Sequence, residues 1–165
     1  MAATCLVIPV PEAEPAAGEL RRRHTTSGAE GMPPHVTLIH PFVDDAELTT
    51  RELEIVSNVL ERQLPFRFAL TSVERFTNPG ESYVWLAPTP SSPFVQIIRA
   101  LEAAFPDHPS FGGAHDEIVP HVTVAASSDE RTLAEIAQDL RDGRISRAAA
   151  EADYGVERVI AALSG

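Results

Sequence analysis

The tetrapeptide Pro-His-Val-Thr occurs twice in this chain, as Pro34-His35-Val36-Thr37 and as Pro120-His121-Val122-Thr123, followed by Leu38 and Val124. Side chains alternate along a strand, so His35 and Thr37 share one face while Val36 and Leu38 take the other. His121 and Thr123 repeat the arrangement against Val122 and Val124. Imidazole exchanges protons near neutrality, its ordinary pKa being about 6.5. If the two strands meet, one imidazole can take a proton from an attacking water or hydroxyl while the other protonates the departing oxygen. Each role contributes ~10²–10⁴ in rate. The threonine hydroxyls can donate hydrogen bonds to non-bridging phosphate oxygens as charge develops there. One His-x-Thr strand alone is more often surface or structural, threonine being a common strand former. Two copies in matched context turn the reading towards metal-free phosphoryl or acyl chemistry.

Other side chains could serve such a site. Tyr83 and Trp85 share a strand face opposite Val84 and Leu86. Ordinary sheet packing explains them, or else stacking on a base, at about 1–3 kcal/mol per base. Phe42, just past the first motif, is either core or a wall of the same groove. Arg21, Arg22 and Arg23 form the basic run of the chain. They read as a solvated helix end, or as the source of one guanidinium, Arg23, that neutralises a substrate phosphate through its fork of donors. Arg75 is a weaker candidate of the same kind. His24, His40, His108 and His115 read as loop or surface residues. Cys5 reads as a core thiol rather than a nucleophile.

These residues need a scaffold, and 165 residues at 44% hydrophobic suit one compact domain, 1–165, with many loops from its 14 prolines. A net charge of −11 disfavours binding along long nucleic acid but leaves a small nucleotide or a single RNA end open as partner. All 13 basic residues are arginine, which excludes Schiff-base or adenylated-lysine chemistry in this chain. No apolar run approaches the ~20 residues of a membrane span, so no membrane partner is expected. The start lacks the basic region of a signal peptide, and the expected compartment is the cytoplasm.

The pattern predicts strands at Thr4–Val10, His35–Ile39, Phe66–Phe76, Ser82–Ala87, Ile118–Ala125 and Tyr154–Leu163. It predicts helices at Glu12–Arg23, at Glu47–Gln63 with a Thr49/Glu52 capping box, at Pro93–Phe105 with Ser92 as N-cap, and at Asp129–Leu140. His24–Pro34 and Pro106–Gly113 read as loops. Strand, helix, motif strand, helix recurs around each motif, and half the chain separates the two histidines. That suggests a duplicated lobe about a pseudo-two-fold axis.

His35-Val36-Thr37-Leu38 and His121-Val122-Thr123-Val124 resemble the paired His-x-Thr/Ser-x signatures of the 2H phosphoesterase superfamily, which includes the LigT-like RNA 2′,3′-cyclic phosphodiesterases, also named 2′-5′ RNA ligases. The resemblance extends to Gly31-Met32-Pro33-Pro34, Pro41-Phe42, Tyr83-Val84-Trp85-Leu86 and the Arg21–His24 segment, and covers roughly residues 4–140. It implies an α+β, bilobal fold: two pseudo-two-fold-related lobes, antiparallel sheets forming a central groove, helices on the outer faces. The lobes would be roughly 1–63 plus the C-terminal strand, and 64–150. It implies cofactor-free, metal-independent hydrolysis or transesterification at a cyclic or 2′-linked phosphate, with His35, Thr37, His121 and Thr123 at the catalytic positions. A further closing strand found in many members is not expected after Tyr154–Leu163.

Two other classes compete. A zinc site could draw on His35, His121 and His115 with Asp116, but no tight ligand spacing supports it and the threonines have no role in it. A nucleotide- or RNA-end-binding module without turnover would use the same fold.

Overall fold

The computed structural model describes residues 3–144 and the strand Ala152–Tyr154. Strand β1 (Leu6–Pro9) leads through a 3₁₀ turn (Pro11–Ala13) and a π turn (Glu14–Gly18) into helix α1 (Glu19–His24). One helix was expected across this stretch. Pro15 lacks the amide that an unbroken α-helical ladder needs there, so the stretch begins as 3₁₀ and π turns. The expected loop at His24–Pro34 contains a short helix α2 (Thr26–Ala29). Thr25 caps it, its Oγ1 accepting from the Gly28 amide at 3.0 Å and donating to the Arg21 carbonyl at 2.8 Å. Gly28 lies so close to the Arg21 carbonyl that a Cβ there would collide with it, and this closeness seats α2 on α1.

The motif strand β2 (His35–Ile39) follows, then helix α3 (Thr50–Leu60), which the expected capping box opens: the Thr49 amide donates to Glu52 at 3.0 Å and Thr49 Oγ1 accepts from the Arg51 amide at 3.2 Å. Strands β3 (Phe66–Phe76) and β4 (Ser82–Thr89) form a hairpin. Helix α4 (Ser92–Ala104) starts one residue earlier than expected, with Ser91 at the N-cap, and buries Phe94, Ile97, Ile98 and Leu101. The second motif strand β5 (Val122–Ser127) starts later than expected, so His121 stands just before the ladder. Helix α5 (Glu130–Asp139), capped by Asp129, turns Leu133, Ile136 and Ala137 inward. Strand β6 (Ala152–Tyr154) pairs with Phe66–Phe68 of β3, and the rest of the expected strand to Leu163 lies outside the described residues.

Among the described residues the strands form two antiparallel sheets, β1-β2 and β5-β4-β3-β6, with five helices, an α+β arrangement. Their inner faces share a contiguous apolar core running from Leu6 to Leu140. Strand β2 lies against β5 without laddering to it, and α1, from the first half of the chain, packs on β5.

The two motif strands have the same register. Val7 lies opposite Thr37 and Ile8 opposite Val36, and the register then shifts so that Leu6 faces Ile39. Trp85 lies opposite Thr123 and Leu86 opposite Val122, and the register shifts so that Val84 faces Ala125. Each shift is a bulge that leaves unpaired the residue after the threonine, Leu38 or Val124. A bulge turns neighbouring side chains to one side. Leu38 and Ile39 are accordingly both buried, as are Val124 and Ala125, which simple alternation does not predict.

Candidate active site

Each histidine is fixed by the backbone behind it. His35 Nδ1 donates to the Pro33 carbonyl at 2.9 Å, and His121 Nδ1 to the Val119 carbonyl at 2.6 Å. A carbonyl only accepts, so the proton of each neutral ring sits on Nδ1 and the lone pair on Nε2, at the far side of the ring. The prolines between, Pro34 and Pro120, are buried and hold the two turns alike. Thr37 and Thr123 follow at half-buried positions, and neither hydroxyl has a hydrogen-bond partner among the described residues.

The two rings come close enough to sense each other. Burial pushes His35 down to about 4, and the charges of Arg21 and of His121 push the same way, against the Pro33 carbonyl, which favours the protonated ring. Burial likewise lowers His121, opposed by the Val119 carbonyl. Both imidazoles are therefore neutral at pH 7.

The depressed value has a measurable consequence for stability. The unfolded chain binds a proton at His35 near pH 6.5, whereas the folded chain resists until about pH 4. Its contribution is therefore complete above pH 6.5 and is lost as pH falls towards 4. Allowing for the water that reaches a half-buried ring, about 1–2 kcal/mol should disappear between pH 7 and pH 5. Urea unfolding at the two pH values should show this drop in the wild type and a smaller one in His35→Gln. Equal drops in the two proteins would mean that His35 is not shifted.

Aromatic rings wall His121. Phe76 meets it edge-on at 5.0 Å between centroids, Trp85 at 5.7 Å, and Phe111 lies nearly parallel to it at 6.2 Å. Trp85 and Tyr83 do share a strand face, but Trp85 is only 8% exposed and Phe76 stacks on it at 4.6 Å. It supports His121 rather than offering an open ring. Tyr83 is half-buried and donates its phenol hydrogen to Glu81 at 2.7 Å; that hydrogen bond raises the phenol's pKa. Phe42 is withdrawn from the set of groove residues: it is 3% exposed and meets Phe105 edge-on at 4.9 Å, inside the core. The bulged strand ahead of it turns the chain inward there.

Of the arginine run, Arg23 is exposed and pairs with Glu19 on its own helix. Arg21 is the one that matters. Its guanidinium is 1% exposed, donates to the Thr123 carbonyl through Nη1 and to Ser27 Oγ at 3.1 Å through Nη2. It thus joins the first-half helix to the second motif strand and sets a positive charge beside His35. The run of three concealed this, although Arg21 follows the buried Ala17 by four residues, the spacing of one helix face. Phe76 and Phe111 also escaped the sequence reading. Phe76 shares a strand face with Glu74 and lies opposite Tyr83, as Glu74 lies opposite Trp85, a signal that could have been used. Phe111 sits in a glycine-rich loop that has no periodicity.

A cavity of about 270 Å³ opens beside Arg21, lined by Glu14, Arg22, Gly28 and Pro33 among others, but neither imidazole lines it. A cleft of about 20 Å³ lies between Thr37, Ser110, Phe111 and His115. Arg75 pairs with Glu130, and His40 is exposed beyond the end of β2. Cys5 is half-buried and burial raises its thiol, which keeps it protonated. No three His, Cys, Asp or Glu side chains cluster as metal ligands among the described residues. No helix among them is long and apolar enough to cross a membrane.

No curated protein matches this chain. The family model of the 2′-5′ RNA ligase superfamily matches residues 9–160, a span that takes in both histidine motifs and the strands that carry them. The chain belongs to the 2′-5′ RNA ligase superfamily, the group that its paired signatures resemble.

Proposed function

We propose that this protein is a metal-independent phosphodiesterase that hydrolyses a nucleoside or RNA-terminal 2′,3′-cyclic phosphate, or a related 2′-5′ phosphodiester, by two-histidine acid–base catalysis. The observation that carries the reading is that one constellation is built twice. Each histidine has its Nδ1 held by the carbonyl two residues back, a threonine two residues on, and a bulge immediately after, and the strands bearing the two copies lie together. The repeat in register supports two lobes related by a pseudo-two-fold axis, with the cleft between β2 and β5 as substrate groove in one domain. Family membership supports an RNA or nucleotide substrate.

In this reading one Nε2 takes the proton of a water as its oxygen bonds to phosphorus. The other Nε2, protonated, gives its proton to the 2′ or 3′ oxygen as the P–O bond breaks. The Thr37 and Thr123 hydroxyls donate to the non-bridging oxygens. The environments favour His35 as base and His121 as acid, because the Arg21 charge disfavours a proton on His35. Run with a 5′-hydroxyl in place of water, the same proton transfers form a 2′-5′ bond.

The test is hydrolysis of the four nucleoside 2′,3′-cyclic monophosphates and of a 2′-5′ dinucleotide with EDTA present, with product isomers separated by chromatography. Turnover unaffected by EDTA supports the reading, and the isomer identifies the leaving oxygen. Turnover that EDTA abolishes and added zinc restores would replace it with metal chemistry.

The pH dependence follows from the lowered imidazoles. In the free enzyme the base must be unprotonated, above about pH 4 for His35, and the acid protonated, below the lowered value of His121. The kcat/KM optimum should therefore lie on the acid side of pH 6.5. A bound phosphate anion raises both imidazoles, so the kcat optimum should sit at higher pH. A kcat/KM optimum above pH 7.5 would contradict the assignment.

A further inference from the structure

Phe111 is the odd side chain at this site. It is 39% exposed, although large and apolar. Its backbone is left-handed, with φ of 52° and ψ of 33°, a region that a bulky residue rarely adopts. Such strain persists only where its surroundings impose it. Here they do. The preceding residue, Ser110, is buried and donates from Oγ to the Leu38 carbonyl at 2.7 Å, on the first motif strand. Its amide donates to Glu102 of helix α4 at 2.9 Å. Gly112 and Gly113, both with positive φ, let the chain turn away immediately afterwards. The ring is thereby held 19° from parallel with the His121 imidazole, at 6.2 Å, and beside the cleft that Thr37 lines.

We infer that Phe111 is the stacking platform for the substrate's nucleobase, and so sets a preference for nucleoside cyclic phosphates over cyclic phosphates that lack a base. The inference rests on the two-histidine reading and deepens it. The exposed ring stands 6.2 Å from the His121 imidazole and beside the cleft that Thr37 lines, on the side to which a ribose with its cyclic phosphate at the two histidines can extend its base. Stacking on a π-face tolerates any base, so the four bases should differ little. Trp85 cannot take this role while Phe76 covers it.

The experiment compares kcat/KM for adenosine 2′,3′-cyclic phosphate with that for glycerol 1,2-cyclic phosphate, in the wild type, Phe111→Gly and Phe111→Trp. Glycine accepts the left-handed backbone, so Phe111→Gly removes the ring and leaves the turn. Calorimetric binding of 3′-AMP and of inorganic phosphate accompanies the kinetics. The expected result is that the preference for the nucleotide over the glycerol ester falls ten- to hundred-fold in Phe111→Gly, beyond any loss the two substrates share through the uncovered His121 ring, and is retained in Phe111→Trp. Equal losses on both substrates, or none on either, would overturn the proposal and leave the two-histidine chemistry standing. If the wild type turns over neither ester nor the 2′-5′ dinucleotide, the hydrolytic reading fails. The binding arm then decides: 3′-AMP must bind more tightly than phosphate and lose that margin in Phe111→Gly, and an unchanged margin would overturn the stacking role as well.

Discussion

His35→Ala and His121→Ala are each expected to cut turnover of a 2′,3′-cyclic phosphate by ~10²–10⁴, with the double variant little worse than either single one. The non-additivity is the sharper half of the expectation. In the proposed mechanism base and acid act in one transition state, so once either is gone the other has no coupled proton transfer to complete. Two rings serving independent roles would multiply their losses instead. Both rings are half-buried and neutral at pH 7, so their removal leaves no stranded charge; the far-ultraviolet dichroism should keep its shape, and the unfolding midpoint should fall only by what the lost Nδ1 hydrogen bond and ring packing contribute, more for His121 than for His35. Nucleotide binding should survive in both single variants, since the threonine hydroxyls and Phe111 remain. Single-turnover rates and 3′-AMP affinity on the same protein samples separate chemistry from binding. If either variant keeps a tenth or more of wild-type turnover, that histidine is not part of the pair.

The parts of the site that the sequence made legible are those written in local patterns. His-x-Thr with alternating apolar residues reads as a strand face; the first copy lies on its expected strand, and the second lies there from Val122 on, with His121 just ahead of it. Thr49 and Glu52 announce the start of α3 because a capping box is a short-range interaction between side chain and backbone. What escaped depends on chain segments distant in sequence. The bulges at Leu38 and Val124 exist because β1 and β4 pair there with a shifted register, which neither motif strand encodes alone. Phe42 looks like a groove residue until the edge of Phe105, some sixty positions on, is seen against it. Phe111 has no pattern to betray it; its position is imposed by Ser110 reaching back to β2. The arginine run misled for a related reason. Consecutive charges read as a solvated face, yet a helix turns each successive side chain by about 100°, so the first of three can be interior while the third is in water.

Arg21→Ala is therefore expected to do what Arg23→Ala does not. Truncating Arg21 leaves the Thr123 carbonyl without its donor, at about 1–3 kcal/mol, and opens the space of a fully buried side chain. Together these should cost about 3–4 kcal/mol of stability, a large share of the 5–15 kcal/mol of an ordinary domain. Arg23, exposed on its helix with Glu19, should cost under ~0.5 kcal/mol. The second motif strand also loses its tie to α1, and a displacement of about 1 Å at Thr123 or His121 is enough to lower turnover ~10²-fold. Arg21 is buried and bonded to the strand, so the part expected of it is positioning, and a stability change alone would not prove even that. The discriminating readout is the titration of His35 followed by proton NMR. The Arg21 charge helps hold that imidazole down, so Arg21→Met should raise its pKa, while Arg21→Lys, which keeps the charge but not the two-pronged bridge, should leave the pKa low and still lose turnover. An unchanged His35 titration in Arg21→Met would show that the guanidinium only fills space, and the electrostatic reason for assigning His35 as the base would go with it.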